Sequence, residues 1–271
     1  MKKVLALIAL TPLLFPLKVV VTVSTLAMIV KPIVGNVVVL LPPGASPLVW
    51  KPSPSQVEMA TEADLFINTL HWPFERQIAQ HANSLPSYLP LPPAEAVMAN
   101  GFAVLRLPNG DLNPHGWWLY APNALMLMHE VTVKACTKEP KACNKFLINL
   151  EKEVNKVKEV LASCVTNLKA VITLPAEEYA LANFGVQAIY VLASKGTAVI
   201  TGYELLKAAN AIKKADFVSV SDLSINTPLG RTVLMLAKRY HKPIVKVPIL
   251  KFEGDYAQYL SYLCDQLPVG R

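Results

Sequence analysis

Histidine and carboxylate side chains placed just beyond apolar, β-branched runs are the residues of this chain best suited to chemistry. His71 lies in Thr69-Leu-His-Trp-Pro73, directly after the run Leu65–Asn68. Glu177 and Glu178 follow the run Ala170–Leu174, and Asp222 follows Phe217–Ser221. Imidazole and carboxylate groups shuttle protons or ligate metals. Trp50, Trp117 and Trp118, near the same ends, either wall an apolar cleft or pack inside the fold. Each residue also has a plainer role: His71 as a surface loop histidine, Glu177 and Glu178 as solvated first-turn acids that favour a helix N-terminus, Asp222 as a loop or cap residue. Local sequence leaves both readings open, while His81, His129 and His241 read as surface. There is no P-loop, G-x-G-x-x-G, G-x-S-x-G or H-E-x-x-H, so nothing marks an enzyme.

The elements that must position these residues alternate along the chain. Val/Ile-rich runs, as expected for buried parallel strands, occur at Val19–Ser24, Val37–Leu41, Leu65–Asn68 and Phe102–Leu107 in the first half. The second half offers Ala170–Leu174, Ala188–Leu192, Phe217–Ser221 and Ile244–Val247. Helical patterns separate them: Thr25–Val34, a capped start at Ser53-Pro54, then Ala176–Phe184, Tyr203–Ala215, Pro228–Tyr240 and Tyr256–Leu267. Asn83 to Pro93 is proline-rich and reads as loop. The clearest helix spans Lys141 to Ala162, with Phe146, Leu150, Val154, Val157 and Leu161 on one face. At about 30 Å it is a candidate strut. The expected fold class is α/β: two small lobes with mostly parallel sheets joined by a long rigid helix, and a ligand cleft between them at the strand carboxyl ends. The expected divisions are 1–17, 18–140, 141–163 and 164–271.

Composition agrees with an exported globular chain. Hydrophobic residues make up 53% and charged residues 17% of its 271 positions, which excludes a disordered protein. The formal charge of +7 includes Lys2 and Lys3, and no Lys/Arg stripe interleaved with aromatics points to nucleic acid. Lys2 and Lys3 followed by the apolar stretch Val4 to Leu17 form a signal peptide or an N-terminal anchor; the stretch is short for a membrane span. Cys136 and Cys143 flank Glu139-Pro140 at a spacing a turn can close, and in an oxidising compartment they are the expected pair. Cys164 and Cys264 would have to meet across the C-terminal half. No C-x-x-C suggests a zinc knuckle.

Three segments together resemble the zinc/manganese-type (cluster A-I) solute-binding proteins of metal ABC transporters. Leu41-Pro-Pro-Gly-Ala-Ser-Pro-Leu48-Val-Trp-Lys-Pro-Ser-Pro-Ser-Gln56 is similar to that family's L-P-x-G-x-D-P-H-x-Y-x-P-x-P-x-D. Asn113-Pro-His115-Gly-Trp-Trp-Leu119 is similar to D-P-H-x-W-L, and Phe252-Glu-Gly-Asp255-Tyr256 to E-G-D-[SY]-Y. The resemblance implies a zinc or manganese ion held between the lobes, with His115 and Asp255 as ligands. Leu48 and Leu174 stand where it implies two further donors, and leucine has no lone pair to give. His71 and Glu177 are the candidate substitutes. The implied partners are an ABC transporter permease and a divalent metal ion, with no nucleic acid, and membrane association would run through the N-terminal segment. A monomer in the periplasm or at the cell surface is expected. A non-metal-binding descendant, serving as a surface interaction protein or taking an organic solute, is the alternative that Leu48 and Leu174 motivate.

Overall fold

The computed structural model describes residues 17–193 and 202–269. The expected signal or anchor segment therefore lies outside the described residues, except for Leu17. Two four-stranded sheets are present, each parallel throughout. In the first, β1 (Val19–Val21) pairs on one side with β2 (Val38–Val39) and on the other with β3 (Leu65–Ile67), which pairs with β4 (Ser84–Leu85). In the second, β5 (Lys169–Ile172) lies between β6 (Gln187–Val191) and β7 (Phe217–Ser221), and β8 (Ile244–Val247) completes the edge. The orders β2-β1-β3-β4 and β6-β5-β7-β8 are the same winding used twice. Each reverses direction beside its first strand, and at such a switch point the strand ends part to leave a crevice.

Helices cover both sheets. In the first lobe these are α1 (Ser24–Val34), α2 (Pro54–Thr61), α3 (Pro73–Ala79), α4 (Pro93–Ala99) and α5 (Ala121–Lys138). After α6 (Cys143–Ser163) come α7 (Ala176–Ala182), α8 (Gly202–Lys214), α9 (Pro228–Arg239) and α10 (Tyr256–Gln266). Val19 to Val21 are buried on both faces of the sheet, which is why β1 shows no polar alternation. Among the described residues no helix is long and apolar enough to cross a membrane.

Two sequence expectations change. Phe102–Leu107 forms no strand, only an isolated bridge from Arg106 to Leu112. Its backbone groups are taken up by side chains: Asn123 brackets Ala103 with one bond to its N–H and one to its C=O, and the Leu105 N–H donates to the Tyr179 hydroxyl at 2.9 Å. The fourth strand of the sheet is instead Ser84–Leu85, inside the segment read as loop, where Pro86 stops the ladder after two residues. Helix α5 had no counterpart in the sequence reading, although Ala124, Leu127, Met128, Val131 and Ala135 form its buried stripe.

Helix α6 joins the lobes. It packs on α1 and α5 at one end and on α10 at the other, and Asn149 donates to the Ile33 carbonyl at 2.9 Å. Both of its ends are covalently held. Cys143, its first residue, is bonded to Cys136 of α5, and Cys164, just past its last, is bonded to Cys264 of α10. One apolar core is continuous through both lobes, running from Val19 to Leu267 by way of Trp117, Tyr179 and Tyr256.

The two bridges close loops of very different length, 7 and 100 residues in separation. In the chain-entropy account these contribute about 2 and about 5 kcal/mol. The double variant Cys164→Ala/Cys264→Ala is expected to lose about twice the unfolding free energy of Cys136→Ala/Cys143→Ala, read from urea denaturation with matched m-values.

Candidate metal centre

The chain beyond β3 turns sharply before α3. Leu70 takes a positive φ of 57°, and its N–H is held by the Asn68 side chain at 2.8 Å. Glu75, in the first turn of α3, is fully buried and accepts from the N–H groups of Thr69 (2.9 Å), His71 (3.0 Å) and Trp72 (3.1 Å), and from the Thr69 hydroxyl. Burial pushes this carboxyl above its ordinary range, against the pull of those hydrogen bonds. The turn so fixed presents His71.

His115 arrives on a second loop. Asn113 accepts from the His115 N–H at 3.0 Å, and its amide nitrogen donates to the Pro175 carbonyl (2.9 Å) and to the Glu178 carboxyl (2.8 Å). Gly116 has φ of 84°, and a Cβ there would lie 2.7 Å from Ala176, so only glycine lets this loop close on the start of α7. The indole N–H of Trp117 then donates to the Thr69 carbonyl at 2.9 Å. The N-P-H-x-W segment thus clamps the His71 turn as well as carrying His115.

The two imidazoles meet. His71 Nε2 and His115 Nδ1 are 3.1 Å apart, with ring centroids at 4.3 Å. Nitrogens bound to one tetrahedral zinc stand about 3.3 Å apart, so the pair is close to the bite of a metal. His71 Nδ1 is buried without a partner. Burial, and secondarily the neighbouring His115, lowers the His71 pKa to about 3, and burial lowers that of His115. Both rings are therefore neutral near pH 7, the form in which imidazole donates a lone pair.

The other expected site residues lie elsewhere. Glu177 is fully buried and is used as an acceptor by the N–H groups of Thr173 (2.9 Å) and Leu174 (3.2 Å) and by the hydroxyls of Thr173 and Ser219. It braces the ends of β5 and β7 together and is not a solvated first-turn acid; burial raises its pKa. Asp255 is the N-cap of α10, sharing a capping box with Gln258 (2.8 Å in each direction), and its second oxygen meets Lys156 of α6 at 3.0 Å. Its D-x-x-Q spacing is a helix-start signal. Asp222 accepts from the N–H groups of Ile249, Leu250 and Lys251 and organises the loop after β8. Glu178, half-buried beside Asn113, is pushed up to about 7 by burial.

Among the described residues no group of three or more His, Cys, Asp or Glu side chains gathers as a metal-binding set. The pair His71–His115 is what the fold assembles. Leu48 is 64% exposed, Leu174 is half-buried against the core, and Trp50 packs edge-on against Phe74 at 5.1 Å. The roles of Glu75 and Lys156 were missed from the sequence; Glu75 carried a signal, as the third residue of a helix whose N-cap is Trp72 and whose first residue is Pro73.

The profile of the family described as "ZnuA: Zinc-uptake complex component A periplasmic" matches residues 19–263. Among solved structures, the SBP FpvC from Pseudomonas aeruginosa in complex with Ni2+ is similar, with 15% identity and a TM-score of 0.70 over 93% of this chain and 95% of that one. A structure of ZnuA shows 17% identity and a TM-score of 0.67 over 93% and 96%. A Mn-bound periplasmic metal binding protein from Candidatus Liberibacter asiaticus shows 14% identity and a TM-score of 0.66 over 92% and 97%. At these identities the likeness is one of fold. No curated protein sequence matches the chain.

The lowered pKa of His71 carries a pH consequence. Between about pH 3 and 6.5 the unfolded chain binds a proton at this residue that the folded chain refuses, so acidification through that window destabilises the fold by up to about 1.4 kcal/mol per pH unit. In metal-free protein, His71→Gln is expected to flatten the fall in urea-unfolding free energy between pH 6.5 and 4 relative to wild type.

Proposed function

The chain belongs to the family described as zinc-uptake complex component A, periplasmic, and from that premise we propose that it is the extracytoplasmic solute-binding component of an ABC importer, taking a divalent transition metal between its lobes. The observation that carries this reading is the pair of neutral imidazoles, 3.1 Å apart, His71 on the turn after β3 and His115 on a loop closed against the start of α7. His71 and His115 are the donors. Leu48 and Leu174 occupy positions where the family resemblance implies ligands, and Glu177 and Asp255 have their oxygens engaged. The site is thus a reduced one, two nitrogens completed by water, with lower affinity than a three- or four-ligand zinc site. An imidazole-only donor set favours zinc over manganese, which prefers oxygen. The protein performs no catalysis in this reading; its partner is the membrane permease, and it works as an exported monomer.

One observation supports the second reading, a descendant that no longer binds metal. Asn113 ties the His115 loop to Pro175 and Glu178, and Gly116 lies directly on Ala176. These contacts close the crevice through protein groups alone, with Leu174 as an apolar wall.

Calorimetry on metal-stripped protein separates the two. Zinc is expected to bind one to one, more tightly than manganese, with affinity reduced at least tenfold by either His71→Ala or His115→Ala. Asp255→Ala is expected to leave affinity unchanged while lowering stability by about 1 kcal/mol through the lost cap. Absence of heat for either metal, with no effect of His115→Ala on any zinc-dependent stabilisation, rejects the metal reading.

A further inference from the structure

The turn between α5 and α6 combines basic and outward apolar side chains. Across positions 133–148 it carries Lys134, Lys138, Lys141 and Lys145 against the single acid Glu139. Lys138, Lys141 and Lys145 are exposed, and among the described residues only Lys138 of these has an ion-pair partner, Asp64 at 3.5 Å. Between the lysines large apolar side chains face outward: Val133 is 49%, Leu147 49% and Ile148 65% exposed. Val133 and Leu147 line an open groove of about 390 Å³ beside the Cys136–Cys143 bridge. The bridge joins the two helix ends covalently, so this patch is a rigid surface.

A second observation says what it faces. The Leu17 N–H donates to the Glu139 carboxyl at 2.5 Å. The apolar stretch Val4 to Leu17, preceded by Lys2 and Lys3, therefore joins the fold at this same turn. The turn also lies at the amino-end pole of the first sheet, since Leu17 precedes β1, whereas His71 follows the carboxyl end of the parallel strand β3. Helix α5 begins beside the Trp117 loop and spans about 27 Å over its 18 residues, and that length separates the lysine patch from the histidine pair.

We propose that the α5–α6 turn is a lipid-facing surface that rests on an anionic bilayer, with lysines at the headgroups and Val133, Leu147 and Ile148 at the interface. Exposed lysines beside outward apolar residues suit an interfacial surface. The inference does not depend on the metal reading, and its failure leaves that reading untouched.

The test is flotation of the full chain with vesicles of phosphatidylcholine alone and of phosphatidylcholine with phosphatidylglycerol. The ratio of anionic to neutral partitioning cancels what the apolar N-terminal stretch contributes to both, and the contribution of Lys2 and Lys3 is common to every variant. Each lysine near an anionic surface contributes about fivefold, so wild type is expected to show a ratio on the order of a hundred or more that falls steeply in 0.5 M salt. Lys138→Glu/Lys141→Glu/Lys145→Glu is expected to lower the ratio by at least the roughly hundredfold that these three lysines supply, leaving what Lys2 and Lys3 sustain. A control reversal on the second lobe, Lys207→Glu/Lys214→Glu/Lys238→Glu, is expected to leave most of the ratio, and Ile148→Ser is expected to lower partitioning into both vesicles. Equal losses in the two triple variants would overturn the proposal, as would a wild-type ratio near one. Matching thermal midpoints of all variants exclude misfolding as the source of any loss.

Discussion

Helix α6 is fastened to both lobes by covalent bonds at its two ends, and the placement of everything else follows from that. Its first residue is tied to α5 and the residue after its last is tied to α10. Between these points it buries Phe146 and Val157 and donates to α1 through Asn149. Lys156 adds a polar link, meeting Glu153 on its own helix at 2.7 Å and Asp255 at the start of α10 at 3.0 Å. The loop carrying His115 in the first lobe meets the start of α7 in the second. The tyrosines of α7 and α10 complete the contact, with Tyr179 donating to the Asn113 carbonyl and Tyr256 to the Leu119 carbonyl.

Where the strands end, both lobes face the same difficulty. Backbone N–H groups at a buried strand terminus need acceptors once the ladder stops. In the first lobe Glu75 collects the N–H groups after β3, and in the second Glu177 collects those after β5. Each is a buried carboxyl that gathers several of the donors at its strand end. Such a group is expensive to bury and is retained only when its hydrogen bonds are complete. A carboxylate spent in this way has few lone pairs left for any other partner.

Much of the architecture was legible because its determinants are local. Runs of Val and Ile mark strands buried on two faces, and seven of the eight strands coincide with such runs. The four-and-three spacing of apolar residues marks α6 to within two residues at each end. The exceptions have physical causes. Ser84–Leu85 is a strand because β3 offers it a free edge, not because of its own composition. Phe102–Leu107 has strand composition, yet Asn123 and Tyr179, both distant in sequence, satisfy its backbone first.

The sequence by itself determined the two-lobed plan, the helix between the lobes and the membership of His115 in an N-P-H-x-W segment. Periodicity and short motifs are properties of neighbouring residues, and the physics that reads them acts over one or two turns. Only the tertiary structure decided which histidine His115 would meet. His71 is 44 residues away, and its position depends on the left-handed turn at Leu70, the buried Glu75 and the Trp117 indole together. The same holds for the two carboxylates that did not join them. Asp255 and Glu177 have the right chemistry for a ligand, but a cap, a lysine and two strand ends reach their oxygens first, and no local pattern records that competition.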